Sequence, residues 1–148
     1  MDFEEAMDIA LEEAKLALSE GEVPVGAVVL KDGKVISRAH NRRQNEYSVI
    51  GHAEILAILE AEKVLGKWQL DGCQLIVTLE PCIMCAGAIA QTRIATLIYG
   101  ASDQTFGAFS TGCDPFTTGI YPSPLIYRGS KENECKSLLD RFFKGLRI

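Results

Sequence analysis

Two short segments, His52-Ala53-Glu54 and Pro81-Cys82-Ile83-Met84-Cys85, hold the residue types and spacing from which chemistry can be built. Each stands where a predicted helix begins after a loop or strand. Cys82 and Cys85 are three apart, so on one helical turn their sulfurs converge on a single ion, and adjacent N–H groups favour the thiolate form. His52 completes three protein ligands. Two thiolates and one imidazole suit tetrahedral zinc with the fourth position left for water, which is the layout of a catalytic rather than a closed structural site. Glu54 lies two residues beyond His52, within reach of that water without being a ligand, and can take a proton and return it to a leaving nitrogen. This equipment suits hydrolytic deamination of an amidine-like ring carbon.

Taken singly, each residue has a plainer use. A lone Cys-x-x-Cys also serves as a structural knuckle, a redox pair or two core cysteines. His52 alone reads as a cap or surface residue, and Glu54 alone as a solvated helix charge. A closed structural site would need a fourth ligand, and the only other histidine is His40.

The elements that must position these groups follow from periodicity. Residues 2–19 place Phe3, Met7, Ala10, Leu11, Ala14 and Leu18 at helical spacing, and Gly21 stops that helix. Residues 24–30 and 35–39 form a hairpin about the turn Lys31-Asp32-Gly33-Lys34. A polar loop, 40–50, delivers the chain to His52, which falls in the first turn of a helix running to Leu65. Strand 73–79, helix 82–91, strand 94–99, an edge strand at 125–127 and a last helix at 131–146 complete the order. Strands alternating with helices predict an α/β fold. Residues 100–124, rich in Gly, Ser, Thr and Pro, form a long connection whose length suggests either a functional loop or a short irregular helix.

With 148 residues, 47% of them hydrophobic, the chain is expected to form a single domain, 1–148, able to build its core without a structural metal. Five cysteines with no export signal argue against a disulfide scaffold. No stretch approaches the roughly 18 to 20 apolar residues of a membrane span, and the reading is cytoplasmic, with no membrane. The net charge of -5 gives no support to a general nucleic-acid-binding surface. Acids concentrate in the first thirty residues, however, and bases outnumber acids from residue 121 onward. Arg128, Lys131, Lys136, Arg141, Lys144 and Arg147 are the candidate phosphate contacts there.

The His-x-Glu and Pro-Cys-x-x-Cys pattern is the signature of zinc nucleobase deaminases. Beyond it, Gly21-Glu22-Val23-Pro24-Val25-Gly26-Ala27, Ala39-His40-Asn41-Arg42, the run Val77 to Ala88, Arg93-Ile94 and the closing Phe142-Phe143-Lys144-Gly145-Leu146-Arg147 resemble the bacterial tRNA-specific adenosine deaminases of the cytidine deaminase-like superfamily. The resemblance covers nearly the whole chain. It implies a three-layer α/β/α sandwich around a mostly parallel, five-stranded mixed sheet, a homodimer, and conversion of wobble adenosine-34 to inosine in a tRNA anticodon arm with release of ammonia. It implies that His52, Cys82 and Cys85 hold Zn2+, that Glu54 is catalytic, and that Asn41 contacts the flipped nucleotide. Val25 and Ala27 would lie in the segment lining the base pocket, and the amides around Ala53 and Cys82 would help hold the ring.

The chief rival is a zinc-dependent deaminase of a free nucleobase or nucleoside such as guanine, cytosine or cytidine. Basic residues are absent from 94 through 127, where Phe106, Phe109, Phe116 and Tyr121 cluster. Three uses fit those rings: stacking on splayed bases, covering a small pocket, or forming a dimer face. A metal-stabilised subunit without catalysis is a third class, against which the presence of Glu54 counts.

Overall fold

The computed structural model describes residues 1–146. In chain order it contains α1 (Phe3–Ser19), β1 (Gly26–Lys31), β2 (Lys34–His40), α2 (Ala53–Leu65), β3 (Cys73–Leu79), α3 (Ile83–Thr92), β4 (Thr96–Ala101), a 3-10 turn (Pro115–Thr117), β5 (Leu125–Arg128) and α4 (Glu132–Gly145). The strands form one sheet in the order β2-β1-β3-β4-β5. β1 pairs antiparallel with both β2 and β3, whereas β3–β4 and β4–β5 are parallel. Four strands therefore run one way and β1 alone runs against them, giving the mostly parallel mixed sheet that the resemblance implies.

Alternation along the strands divides the core in two, because successive side chains leave opposite faces. Ala27, Val29, Leu75, Val77, Leu97 and Tyr99 join Ala53, Ala57 and Ile58 of α2 and Ile89 of α3 on one face. Val28, Leu30, Ile76 and Ile98 join Met7, Ala10, Leu11 and Ala14 of α1 and Cys135 and Leu138 of α4 on the other. These are the three layers. The α1 layer sits tight on the sheet at Gly26, where an added Cβ would fall 1.9 Å from the Ala10 carbonyl oxygen, so only glycine lets β1 begin there.

This topology gathers loops at one edge. β2, β3 and β4 end on the same side of the sheet from which β1 starts, and the Gly26 amide donates to Thr78 Oγ1 at 3.1 Å, tying the start of β1 to the end of β3. The segments leaving these ends lead to Asn41, Pro81-Cys82 and Asp103. At the end of β2, the His40 ring nitrogens lie 2.8 Å from Glu13 and 2.9 Å from Glu20, which fastens the strand to α1. Both ring nitrogens are thereby engaged away from the cysteines, so His40 is not a fourth ligand.

Three positions differ from the sequence reading in a way that matters. His52 and Cys82 are not in the first turns of α2 and α3 but are their N-cap residues, with extended ψ of 145° and 175°. Neither side chain caps its own helix, so both are free to point elsewhere. β1 also begins at Gly26 rather than at Pro24, because the Val25 carbonyl accepts from the Asn41 amide outside the ladder.

Candidate active site

The N-termini of α2 and α3 meet over the strand ends just described. His52 Nδ1 lies 3.7 Å from Cys82 Sγ and 3.5 Å from Cys85 Sγ, and the three ligand atoms all fall within 4.8 Å of one another. For Zn–S bonds of about 2.3 Å and Zn–N bonds of about 2.0 Å, the edge of a tetrahedron between sulfur and nitrogen is about 3.6 Å. Both nitrogen–sulfur separations thus already match what tetrahedral zinc requires. Cys85 is buried while His52 and Cys82 are half-buried, so the cluster is open on one side. No fourth His, Cys, Asp or Glu joins the group among the described residues.

The electrostatics fit a cation. Hydrogen bonding from Cys85, together with His52, overcomes burial and holds the Cys82 thiol down at about 4. Cys85, beside that thiolate and buried, is pushed far up and keeps its proton. His52 is raised mainly by its hydrogen bond to Cys82. Cysteine and histidine ligands bind a metal ion in their deprotonated forms, so an ion at this cluster would take the place of such protons. Glu54 is 4% exposed, and desolvation pushes its carboxyl up to about 7. It sits one residue into α2, next to the cluster and outside the ligand triad.

Asn41 is buried beside the same helix start, and its Oδ1 accepts from the Ala53 amide at 2.8 Å. An amide at the first position of α2 has no partner within the helix, so Asn41 supplies the cap that His52 does not. The Ala53 N–H expected to hold a substrate ring is therefore engaged by Asn41. Val25 is 4% exposed and Ala27 fully buried, both within the core under α2. Ala27 presents no surface to a ligand here; its small size permits strand packing.

The aromatic segment divides. Phe109 stacks on Tyr99 at 5.8 Å and on Phe116 at 6.2 Å, which makes both phenylalanines an extension of the core. The Tyr121 hydroxyl accepts from Gln91 on α3. Phe106 alone stands out, 71% exposed. Of the candidate cations, Lys131 is joined to Asp8, Arg128 and the α4 residues Lys136, Arg141 and Lys144 are exposed, and Arg147 lies outside the described residues. Arg42 and Arg43, in the loop that leads to His52, are closer in sequence to the site.

Besides Glu13, which pairs with His40, two buried carboxylates escaped the sequence reading. Glu22 accepts from the Gln44 and Asn45 amides at 3.1 and 2.8 Å. Glu80 accepts from the Asp103 and Ser110 amides and from the Ser110 hydroxyl. The one available signal was an acid placed between an apolar strand and Pro81, with no base nearby in sequence.

Comparison with known proteins agrees with this geometry. The family described as the cytidine and deoxycytidylate deaminase zinc-binding region matches residues 1–101. A tRNA-specific adenosine deaminase of Bacillus subtilis is 44% identical over 142 residues, covering 95% of this chain and 88% of that protein. One from Agrobacterium fabrum is 43% identical, covering 96% and 94%. A solved structure from work on A-to-I editing by tRNA:A34 deaminases superposes with a TM-score of 0.84 at 42% identity, over 91% of this chain and 99% of that one. A guanine deaminase structure from Bacillus subtilis gives 0.67 at 30% identity, over 100% and 96%. With the signature residues drawn into one cluster and these similarities spanning most of its length, the chain belongs to the zinc-binding cytidine and deoxycytidylate deaminase family, in the branch it shares with bacterial tRNA-specific adenosine deaminases.

Proposed function

We propose that this protein is a single-domain, cytoplasmic enzyme that deaminates adenosine-34 of a tRNA anticodon arm, consuming water, leaving inosine in the RNA and releasing ammonia. The observation that carries the reading is the near-full-length similarity to tRNA-specific adenosine deaminases at 44% identity, with His52, Cys82 and Cys85 brought together and Glu54 buried beside them. Zinc, when bound, supplies Lewis-acid activation of water near neutral pH. His52, Cys82 and Cys85 hold the ion. Glu54 takes the proton of the attacking water and delivers it toward the departing amino group. Its burial keeps that transfer away from bulk solvent. Asn41, fixed through Oδ1, is left with its side-chain NH2 as a donor for the nucleotide. Among the described residues no helix is long and apolar enough to cross a membrane.

Turnover by the zinc-loaded protein on an adenosine-34 anticodon stem-loop, followed as inosine formation, is expected to exceed that on free adenosine, cytosine, cytidine and guanine by on the order of 10²-fold in kcat/KM or more. The similarity to a guanine deaminase makes free-base deamination the second reading. Faster ammonia release from guanine than from the stem-loop would establish that reading instead.

A homodimer is supported by the outer face of α2 and α3, where Ile55, Ile58 and Ala88 line a groove beside exposed Leu59 and Trp68. A second copy packed there would cover this apolar surface. Sedimentation at micromolar concentration is expected to give twice the 16.2 kDa chain mass, and a purely monomeric profile would reject the dimer.

A further inference from the structure

Glu80 ends the run that follows β3 and stands two residues before Cys82, yet no catalytic step uses it. It is 2% exposed, and among the described residues no Lys, Arg or His pairs with it. A buried carboxylate in that position is costly unless hydrogen bonds satisfy it. Its partners all come from one loop: the Asp103 amide at 3.0 Å on Oε1, the Ser110 amide at 2.8 Å on Oε2, and the Ser110 hydroxyl at 2.6 Å on Oε1. The loop cannot leave without stranding the charge.

The same bonds determine where one aromatic ring stands. Asp103, held by Glu80 through its amide, accepts from the Thr105 and Phe106 amides through Oδ1. Gly107 then pairs with Cys82 in an isolated antiparallel bridge, and the Ala108 amide donates to the Pro81 carbonyl at 2.9 Å. Gly107 comes so close that an added Cβ would fall 2.1 Å from Glu80 Oε2. Phe106 is thus displayed to solvent on the residue preceding the one that pairs with the zinc ligand Cys82, and Ile83, the residue after that ligand, is itself 62% exposed. A ring that folding leaves bare on an otherwise fastened loop is suited to a flat partner, and a base offers one.

We infer that Glu80 is a positioning residue which, through the 103–110 loop, holds Phe106 at the mouth of the site as a stacking surface for a nucleotide flanking the reacting adenosine. The stacking half of this inference rests on the RNA reading of the function; the hold on the loop does not. Gln at position 80 keeps the shape but offers one acceptor oxygen where the loop presents donors to two, so one side of the clasp must open.

The test uses zinc-loaded full chain and four variants: Glu80→Gln, Ser110→Ala as a milder loss from the loop side, Phe106→Ala, and the double variant Glu80→Gln with Phe106→Ala. Each is assayed for zinc content, amide hydrogen exchange across residues 103–110, and kinetics on the adenosine-34 stem-loop. Expected are unchanged zinc stoichiometry, about tenfold faster exchange in Glu80→Gln, and a smaller acceleration in Ser110→Ala. KM for the stem-loop is expected to rise about tenfold in Glu80→Gln and Phe106→Ala, with kcat within about twofold, from the loss of one stacked base. The double variant should be no worse than Phe106→Ala alone. Unchanged exchange overturns the hold on the loop, and Ser110→Ala decides the same point if Glu80→Gln does not fold. A fall in kcat with KM unchanged, or effects that multiply in the double variant, overturn the action through Phe106. If wild-type protein turns over free bases and not the stem-loop, the RNA reading and the stacking role fail together, while exchange still tests the hold that Glu80 exerts.

Discussion

Glu54→Gln is expected to lower turnover by about 10² to 10⁴-fold while the protein stays folded and binds one zinc per chain. Glutamine preserves the volume of the buried side chain and leaves His52, Cys82 and Cys85 untouched, so the ion keeps its ligands. What disappears is the ability to accept a proton and give it back. Magnitudes separate this role from a simple polar contact. A lost hydrogen bond to a neutral group costs about 1 kcal/mol, less than about tenfold in rate, whereas removing a positioned general acid–base group costs about 10² to 10⁴-fold. Single-turnover inosine formation beside metal analysis on the same preparation reads both quantities. A loss smaller than tenfold would place Glu54 among structural residues and leave the proton transfer without a carrier.

The variant also bears on the non-catalytic alternative. A subunit that only binds RNA would tolerate Glu54→Gln, because a residue 4% exposed offers a macromolecule almost no contact area. Burial of an acid at the start of a helix is itself costly, and desolvation lifts the carboxyl to about 7. A sequence without use for that carboxyl would place an apolar residue among Ala53, Ala57 and Ile58.

The ligand set was legible because His52-x-Glu54 and Pro81-Cys82-x-x-Cys85 are local patterns whose geometry follows from helix starts. A sheet covered by helices was legible in the order of strands and helices and in the helical spacing of Met7, Ala10, Leu11 and Ala14, whereas Ala27–Leu30 and Leu75–Val77 are unbroken apolar runs whose division between two faces only the structure shows. What stayed hidden depends on contacts distant in sequence. Glu80 finds its donors 23 and 30 residues further on, and Glu22 finds its own 22 and 23 further on, in irregular loops. No periodicity announces such a bond. Phe106, Phe109 and Phe116 look alike in a Gly- and Thr-rich stretch, and only the reach of Tyr99 from β4 draws two of them inward. The Ala53 amide was assigned to the substrate ring by resemblance alone, and the side chain that claims it comes from Asn41, across the loop.

Cys82→Ala is expected to abolish both zinc retention and activity while the chain remains folded. Removing one of three protein donors leaves a two-ligand site, and since changes to groups that merely orient ligands cost about 10 to 100-fold in metal affinity, losing a ligand must cost more. Cys82 is the better probe of the pair. Cys85 is fully buried, so its truncation would combine a packing defect with the loss of a donor, whereas Cys82 is half-buried and belongs to neither half of the core. The fold should survive because the two apolar clusters flanking the sheet do not depend on the ion for closure. Circular dichroism is expected to match wild type, and metal analysis after dialysis against a weak chelator is expected to find less than about a tenth of the wild-type zinc, given that penalty. Unfolding of the variant would make the ion a structural brace and contradict the open three-ligand site. Stoichiometric zinc after dialysis would remove Cys82 from the ligand set, and with it the reason that two helix starts were brought to one point.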